Sequence, residues 1–244
     1  MMEKLALTDQ VAIITGAGRG IGRAVAIALS RHGARVVLVA RSEDQLRDTA
    51  SRIEALAGQA LVHVADIGME STASELIEAT RQHWGRLDIL VNNAGLGEFG
   101  LLEESTVEDW DRMMNINARG AFLLCREAIP LLRRHSPAFI FNIGSVVAHK
   151  GYVHQALYGA SKHALLGLSK SLAKEVQKDG IRVHVINPGG VATDMVKQAR
   201  PDLDPAELIA PEEIADIVLF LLGRQGNAVI DEINVRRASA VPWA

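Results

Sequence analysis

The segment that decides the fold reads VAIITGAGRGIG, from Val11 to Gly22. Its first five residues form an apolar run that is typical of a buried strand, and glycines follow at positions 16, 20 and 22. A helical pattern then begins, with apolar residues spaced three and four apart at Ile21, Ala24, Val25, Ala28 and Leu29. Gly33 stands where a left-handed cap is expected to end this helix. Because glycines let the backbone approach an anion and a helix start offers free N–H groups, the segment predicts a phosphate-binding turn.

Six further runs of this kind recur along the chain, with helical patterns between them. Together the runs predict strands at Val11–Thr15, Arg35–Ala40, Ala60–Val64, Ile89–Asn92, Phe139–Ile143, Arg182–Asn187 and Val229–Val235. Strands that alternate with helices predict a doubly wound α/β fold, with a seven-stranded parallel sheet and helices on both faces. No linker or repeat divides the sequence, so we expect residues 1–244 to form a single domain.

Two helical patterns are longer than the others. One runs from about Thr106 to Arg133, where Pro130 is expected to bend or end the helix, and the other from about Tyr158 to Lys178. A stretch punctuated by prolines follows, between Pro188 and Pro211, and it predicts a loop with a short helix.

The composition restricts the classes of function. The net charge is −3 and 48% of the 244 residues are hydrophobic, so a globular protein without a basic field for nucleic acid is expected. Cys125 is the single cysteine, and no Cys/His cluster has metal-ligand spacing, which predicts a reducing, cytoplasmic environment and no metal site. The longest apolar run, Ile217–Leu222, is far shorter than a membrane span, and the N-terminus does not match a signal peptide.

Three polar residues in the second half predict proton-transfer chemistry. Tyr158 and Lys162 are four residues apart in a helical pattern, so their side chains are expected on one face. A tyrosine near pKa 10 needs help to transfer protons at neutral pH, and a neighbouring ammonium favours the phenolate. Ser145 stands at the end of a predicted strand, where open α/β sheets present ligand-binding groups.

Over about residues 8–235 the chain resembles the short-chain dehydrogenase/reductase family. The matching residues, in chain order, are Thr15–Gly22, Asn92-Asn93-Ala94-Gly95, Asn117, Ser145, Tyr158, Lys162 and Asn187-Pro188-Gly189. The resemblance implies a Rossmann-type sheet, a nicotinamide cofactor and hydride transfer to or from a carbonyl or alcohol. Gly144–Val147 and Ser169–Ala173 look like segments of the 3-oxoacyl-carrier-protein reductases.

The resemblance also implies roles for individual residues. Tyr158 would be the general acid and base, Ser145 would polarise the substrate oxygen, and Asn117 would position a water in a proton relay. Lys162 would hold the nicotinamide ribose and lower the pKa of Tyr158. The residues expected to bind the cofactor are Gly16, Arg19, Gly20, Ile21, Gly22, Arg41, Asp66, Asn93, Ala94, Gly95, Tyr158, Lys162, Pro188, Gly189, Val191 and Thr193. Among these, Asp66 would contact the adenine and Thr193 the nicotinamide carboxamide.

Several of these residues have an alternative structural interpretation. Asp66 is also a candidate helix N-cap, and Thr193 a candidate helix start. Asn117 is equally consistent with one polar residue on an amphipathic helix. The histidines near the catalytic segment, His149, His154 and His163, are candidates for substrate contact or for surface and cap positions. Cys125 is interpreted as a buried small apolar residue.

The choice of cofactor depends on the end of the second strand. In sites for NAD, a carboxylate about 20 residues after the glycine turn accepts hydrogen bonds from the ribose 2′-hydroxyl. Ala40 stands at that place here, Arg41 follows it, and Arg19 lies inside the turn. Guanidinium groups bind a 2′-phosphate through charge-assisted hydrogen bonds, so NADP(H) is predicted. Glu43 and Asp44 would weaken this preference if they faced the same phosphate, but both are expected in the first turn of a helix capped by Ser42.

We therefore interpret the sequence as that of an NADP(H)-dependent ketone or 3-oxoacyl-type reductase. An NAD-dependent alcohol or polyol dehydrogenase and a non-catalytic dinucleotide sensor stay open as alternatives. The small-molecule substrate is expected to be a carbonyl compound or a secondary alcohol. The two long helices exceed what covering a sheet requires, which predicts a homotetramer or homodimer.

Two departures from the family lie on the substrate side. Only 17 residues, Asp194–Ala210, separate Thr193 from Pro211, which predicts an open or shallow pocket. The tail Arg236–Ala244 lacks the Gly-rich ending of many relatives, and it is expected either to be disordered or to dock on a neighbour through Trp243.

Overall fold

The computed structural model describes residues 5–199, 202–224 and 226–242, so Trp243 lies outside the described residues. Seven strands form one sheet in the order β3-β2-β1-β4-β5-β6-β7, and every pairing is parallel. The strands are β1 Val11–Thr15, β2 Arg35–Ala40, β3 Gln59–Val64, β4 Ile89–Asn92, β5 Ala138–Ile143, β6 Ile181–Pro188 and β7 Glu232–Val235. The strand order reverses between β1 and β4, and ligand crevices in such sheets lie at this switch point. The predicted doubly wound α/β fold is confirmed.

Helices cover both faces of the sheet. They are α1 Gly20–Arg31, α2 Glu43–Glu54, α3 Glu70–Trp84, α4 Val107–Met114, α5 Gly120–Leu132, α6 Ala156–Val176, α7 Asp194–Ala199 and α8 Pro211–Leu222. In β1, Ala12 and Ile14 pack against α1, α2 and α8, whereas Val11 and Ile13 pack against α3, α5 and α6. Because successive strand residues face opposite sides, a sheet buried on both faces needs the unbroken apolar runs seen in the sequence.

The long helix predicted over Thr106–Arg133 is interrupted. Thr106 caps α4 through a capping box with Asp109, and α5 ends at Leu132, two residues after Pro130. Between them, Asn115–Arg119 adopts π-helical hydrogen bonding, which the apolar periodicity did not predict. Such π segments are frequent at functional sites because the wider turn redirects side chains.

The last strand is shorter than predicted, because it begins at Glu232 rather than Val229. The ladder with β6 begins where the Val185 N–H donates to the Asp231 carbonyl at 2.8 Å, and the preceding Ile230 carbonyl instead accepts from Nδ1 of His184 at 2.7 Å. The second long helix matches its prediction closely, since α6 covers Ala156–Val176. The predicted cap of α1 is present, because Gly33 has a φ of +95° and its N–H bonds to the Ser30 carbonyl.

The proline-punctuated stretch contains the expected short helix, α7. A 3-10 turn at Pro205–Glu207 follows it, and Val191 and Ile209 form an isolated parallel bridge that ties the two ends of the loop together. The loop therefore stands over the C-terminal ends of β5 and β6 with a fixed base.

Candidate active site

The glycine turn after β1 can be built only from glycine at its key positions. Gly16 and Gly20 have φ angles of +66° and +53°, in the left-handed region that side chains rarely adopt. A Cβ added to Gly22 would lie 2.3 Å from the Gly16 carbonyl oxygen and 2.5 Å from Nδ2 of Asn93. The turn is thus tightly folded against the start of α1 and the end of β4.

The N-terminus of α1 is suited to an anion. Its N-cap residue, Arg19, makes no side-chain cap hydrogen bond, and the first turn has no acidic residue. Nδ2 of Asn93 donates to the Thr15 carbonyl at 2.9 Å, and Oγ1 of Thr15 accepts from the N–H groups of Asn93 and Ala94 at 3.0 Å each. These bonds hold the loop after β4 against the turn, so the free N–H groups and positive dipole end of α1 face a preorganised crevice.

A cavity of about 550 Å³, here called the switch-point cavity, lies at this crevice. Every residue that the sequence predicted to bind the cofactor lines it, with the exception of Gly22, which packs behind the turn. Asp66 lines the cavity, and its Oδ1 accepts from the Gly68 N–H at 2.9 Å, while the N-cap of α3 is Met69 instead. Thr193 both lines the cavity and immediately precedes α7. The residues present therefore fit a dinucleotide that extends from β2 to β5.

Basic side chains stand at the β2 end of this cavity. Arg41 is exposed, and no ion pair or hydrogen bond of its guanidinium is found among the described residues. Glu43 is paired with Arg47, and neither Glu43 nor Asp44 lines the cavity, so neither carboxylate faces the place predicted for the 2′-phosphate. Ser42 precedes α2 but makes no cap bond with its side chain.

Arg19 differs from Arg41 because its Nη1 lies 2.8 Å from Oδ2 of Asp194. This exposed ion pair joins the glycine turn to α7, at the start of the loop that covers the site. Such a pair has a small stability effect, but it neutralises part of the charge that Arg19 would offer to a phosphate. Arg41 is thus the stronger candidate for the 2′-phosphate.

Ser145, Tyr158 and Lys162 meet at the inner end of the cavity, as their spacing predicted. The side chains of Tyr158 and Ser145 are hydrogen-bonded. Oγ of Ser145 also accepts from the Val147 N–H at 3.3 Å. Nζ of Lys162 donates to the Ile143 carbonyl at 2.8 Å and lies 5.8 Å from the centre of the Tyr158 ring. Strand β5 thereby positions both the serine and the lysine.

Burial changes the ionisation of this group. It raises the pKa of the Tyr158 hydroxyl, and the hydrogen bond with Ser145 opposes that rise without reversing it. It lowers the pKa of Lys162 to about 8. Desolvation of the phenolate outweighs the hydrogen bond with Ser145, so the pKa of Tyr158 lies above its usual value, and the lowering of this pKa by Lys162 stays a prediction.

Asn187 connects Ser145 to a second set of polar groups, which the sequence did not predict. Its Oδ1 accepts from the Ser145 N–H at 3.2 Å, and its Nδ2 donates to Oε1 of Glu232 at 2.8 Å. Nε2 of His149 contacts the same Glu232 oxygen. The sequence patterns that single out Asn187 are its place in the segment Asn187-Pro188-Gly189 and its position near the end of an otherwise apolar strand; neither predicts these partners.

Asn117 lies in the π segment and is 2% exposed, and it lines neither cavity. Its side chain is bonded within the protein, because Nδ2 donates to the Leu96 carbonyl at 2.8 Å and to Oγ of Ser161 at 2.9 Å. Its Oδ1 accepts from the Leu96 N–H at 2.7 Å. The structure thus assigns Asn117 to holding the β4 loop against α6, beside the residues that line the site.

A second cavity, of about 780 Å³ and here called the outer cavity, opens beside the first. Ser145 and Tyr158 line both cavities. Residues of α7 and of the tail, among them Met195, Arg236, Arg237 and Val241, form part of its wall, and the cavity is partly open, which agrees with the predicted open pocket. Up to Pro242 the tail lies along this chain's own site, whereas its docking on a neighbour through Trp243 stays a prediction.

The structure places the three candidate histidines and Cys125 in different surroundings. His149 lines the outer cavity, whereas the ring of His163 bonds to the Gly159 carbonyl at 2.8 Å and His154 lines neither cavity. Cys125 is buried, and burial raises the pKa of its thiol to about 12, which is unsuited to a nucleophile. Within the described ranges, no helix meets the length and apolarity of a membrane span, and no three His, Cys, Asp or Glu side chains group as metal ligands.

Comparisons with known proteins agree with this geometry. The family model described as short chain dehydrogenase matches residues 10–204. An uncharacterised oxidoreductase of Staphylococcus epidermidis is 33% identical over 228 residues, which is 93% of this chain and 97% of the relative.

Two solved structures are similar throughout. A metagenomic short-chain oxidoreductase in complex with NADP is 34% identical with a TM-score of 0.84, over 96% of this chain and 99% of that one. An alcohol dehydrogenase from Thermococcus sibiricus complexed with 5-hydroxy-NADP is 28% identical with a TM-score of 0.87, over 96% and 98% of the two chains.

Proposed function

The chain belongs to the short-chain dehydrogenase family of oxidoreductases, and we propose that it is an NADP(H)-dependent reductase of ketones, including ketones of the 3-oxoacyl type. One observation carries the proposal: Ser145 and Tyr158 stand at the junction of the two cavities. A nucleotide in the switch-point cavity and a carbonyl compound in the outer cavity would meet at these two hydroxyl groups.

The preference for NADP(H) is supported by the end of β2. Ala40 offers no carboxylate to a ribose 2′-hydroxyl, and Arg41, which has no ion pair with any described residue, lines the cavity beside it. A guanidinium forms paired, charge-assisted hydrogen bonds with a phosphate, whereas a carboxylate at this place would repel it. Two structurally similar proteins were solved with NADP or a derivative of it, which agrees with this assignment.

In the proposed reaction the nicotinamide, when bound, supplies a hydride to the carbonyl carbon. Tyr158 donates its hydroxyl proton to the carbonyl oxygen as negative charge develops there. Ser145, held by the Val147 N–H that donates to its Oγ, would turn its O–H from Tyr158 to the same substrate oxygen and donate to it. Lys162, which is 4% exposed and held by the Ile143 carbonyl, places a positive charge beside Tyr158 and would hold the ribose.

We also propose that the protein is a single-domain, cytoplasmic homotetramer or homodimer. The exposed side of the long helical segment carries large apolar side chains, with Val107 71%, Trp110 44% and Phe122 43% exposed. Apolar patches of this kind are commonly covered by a partner, and a second copy would pair the same helices across a two-fold axis.

An activity panel tests the reductase function. Purified protein is mixed with NADPH or NADH and with ketones, β-ketoesters, a 3-oxoacyl thioester, quinones and aldehydes, and the loss of reduced cofactor is followed by absorbance. We expect turnover of a ketone substrate with NADPH. No turnover of any carbonyl compound, together with oxidation of alcohols or polyols by NAD⁺, would support the dehydrogenase alternative instead.

Calorimetric titration of both cofactors tests the assignment of Arg41. We expect at least about tenfold tighter binding of NADPH than of NADH, since one charge-assisted hydrogen bond contributes about 1.5–3 kcal/mol. The double variant Ala40→Asp with Arg41→Ala should shift the preference toward NADH. Equal or tighter binding of NADH by the wild type contradicts the assignment.

A further inference from the structure

The outer cavity has an uneven distribution of charge. Besides the two tyrosines, Tyr152 and Tyr158, its ionisable lining residues are His149, Lys150, Arg236 and Arg237, and among the described residues no carboxylate lines it. Much of the remaining wall is apolar, formed by side chains such as Phe99, Val147, Met195, Leu203 and Val241. Resting on the proposed function, we propose that the substrate is a keto acid with an apolar body, whose carboxylate binds Arg236 while its ketone reaches Ser145 and Tyr158.

The hydrogen bonds of Arg236 leave one edge of its guanidinium available. Nη1 donates to the carbonyl oxygens of Arg237, Ala238 and Ala240, at 3.1 Å each. No partner of Nε or Nη2 is found in the part of the chain that the structure describes. The Nε and Nη2 edge of arginine presents two parallel N–H groups, which match the two oxygens of a carboxylate. The carbonyl groups of the tail thus bind Nη1 of the Arg236 guanidinium, and its Nε and Nη2 edge is left available to a ligand.

The carboxylates on the surrounding elements are already paired. Oε2 of Glu207 lies 3.2 Å from Nη1 of Arg237 and 3.0 Å from Oγ of Ser239. Glu232 contacts His149 and accepts from Asn187 at 2.8 Å, and its Oε2 lies 3.8 Å from Nζ of Lys170. Neither carboxylate neutralises Arg236, so an anionic ligand would supply its counter-charge.

The two ends of the outer cavity would therefore bind different groups of one substrate molecule. Ser145 and Tyr158 bind an oxygen that becomes negative only during reduction, whereas Arg236 binds an oxygen pair that is negative throughout. The volume of about 780 Å³ is within the range of small-molecule sites and leaves room for an apolar body between them. A neutral ester of the same compound would lose the paired hydrogen bonds to Arg236.

Matched pairs of substrates test the proposal. Rates with NADPH are measured for 4-oxopentanoate, 6-oxoheptanoate and 4-acetylbenzoate, each beside its methyl ester, in wild type, Arg236→Gln and Lys178→Gln. Lys178 lies directly before the start of β6, at the amino-terminal end of that strand, and it does not line the outer cavity; its substitution removes the same charge. We expect kcat/KM of at least one acid to exceed that of its ester about tenfold or more in wild type and Lys178→Gln.

In Arg236→Gln the ratio of acid to ester should fall to near one. Because Arg236 also holds the tail, the ester rate is the internal control: a displaced tail lowers both rates, whereas loss of the carboxylate contact lowers the acid rate alone. Acids that are no better than their esters in every pair, or a preference that survives in Arg236→Gln, would overturn the proposal.

A binding measurement separates this proposal from the proposed function. 4-Ethylbenzoate has no reducible carbonyl, and calorimetry compares it with 4-ethylbenzamide on wild type and Arg236→Gln, with and without NADPH. Binding of the benzoate that depends on Arg236, without turnover of any ketone, would retain the carboxylate site and reject the reductase. Turnover of the esters, with no gain in rate or binding from a carboxylate, would retain the reductase and reject the carboxylate site.

Discussion

At the scale of single residues, the site depends on how burial changes ionisation. The raised pKa of Tyr158 keeps its hydroxyl protonated at neutral pH, which is the form that can donate a proton to a carbonyl oxygen. Lys162 has its pKa lowered to about 8, so most of it is still charged at pH 7. A protonated Tyr158 and a charged Lys162 are the forms that reduction of a carbonyl group requires.

Replacing Tyr158 by Phe should lower kcat by roughly 10²–10⁴-fold, the usual contribution of a positioned acid or base. The ring would stay packed edge-on against Phe99, so the melting temperature and NADPH affinity should change little. Steady-state kinetics, thermal melts and calorimetry measure the three quantities.

A matched control removes a hydroxyl group away from both cavities, at Ser74, which is an exposed residue of α3 and lines neither of them. Ser74→Ala should keep kcat within a few-fold of the wild type. A Tyr158→Phe protein that retains more than half of the wild-type rate would remove Tyr158 from the mechanism.

The burial of Lys162 predicts how the free energy of unfolding depends on pH. Below about pH 8 the folded protein bears the full cost of burying the Lys162 charge. Between pH 8 and the unfolded value near 10.4, the unfolded state binds more protons than the folded state, so the free energy of unfolding rises with pH. From pH 7 to pH 10, this gain in the wild type relative to Lys162→Met should reach about 2 to 3 kcal/mol.

Urea unfolding at pH 7, 8.5 and 10, without added nucleotide, measures this difference. Comparing the two proteins at each pH cancels the titration of all other groups. If the difference in free energy of unfolding between wild type and Lys162→Met is constant from pH 7 to pH 10, Lys162 is not buried as a charged group.

At the scale of elements, the β1 turn and α1 act as one unit, because the turn exists only while Gly22 packs against the Gly16 carbonyl. Gly22→Ala should force the turn apart, with a loss of about 1–3 kcal/mol of stability and at least tenfold weaker NADPH binding. Urea unfolding and calorimetry check the two effects.

Gly100→Ala is the matched control, since a Cβ there would meet nothing within 4 Å. It should change stability by no more than about 0.5 kcal/mol. Equal effects of the two substitutions would show that the close approach in the turn is unimportant.

At the scale of the whole molecule, the sheet, the covering loop and the tail together build two adjoining cavities, while Val107, Trp110 and Phe122 on α4 and α5 are left exposed. We expect light scattering to give a mass of two or four times 26.3 kDa. Phe122→Glu should reduce this mass at micromolar concentration, because a buried, unpaired carboxylate opposes association. Leu56→Glu, at an exposed apolar residue beyond α2, is the control and should leave the mass unchanged.

A monomer in the wild type would reject the proposed association. A mass that falls equally in both variants would show a loss of folding rather than of one interface.

The sequence by itself determined the order of strands and helices, the glycine turn, and the meeting of Ser145, Tyr158 and Lys162. The strands and helices depend on local periodicity, and the pairing of Tyr158 with Lys162 depends on their fixed spacing along one helix. Both properties belong to residues that are close together in the sequence. Strand ends were less certain: β7 begins at Glu232, where the chain first pairs with Val185 of β6, 47 residues away, rather than at Val229.

Only the tertiary structure decided the rest of the site. The link from Ser145 through Asn187 to Glu232 spans 42 and then 45 residues, and no local pattern encodes such pairs. The direction of the Tyr158 pKa depends on how completely distant elements remove water from its hydroxyl. The tail lines the outer cavity because β7 ends beside β6 at the edge of the site, so residues 236–242 pass over it. Desolvation and long-range contacts exist only after the chain has packed, and for that reason the sequence could not predict them.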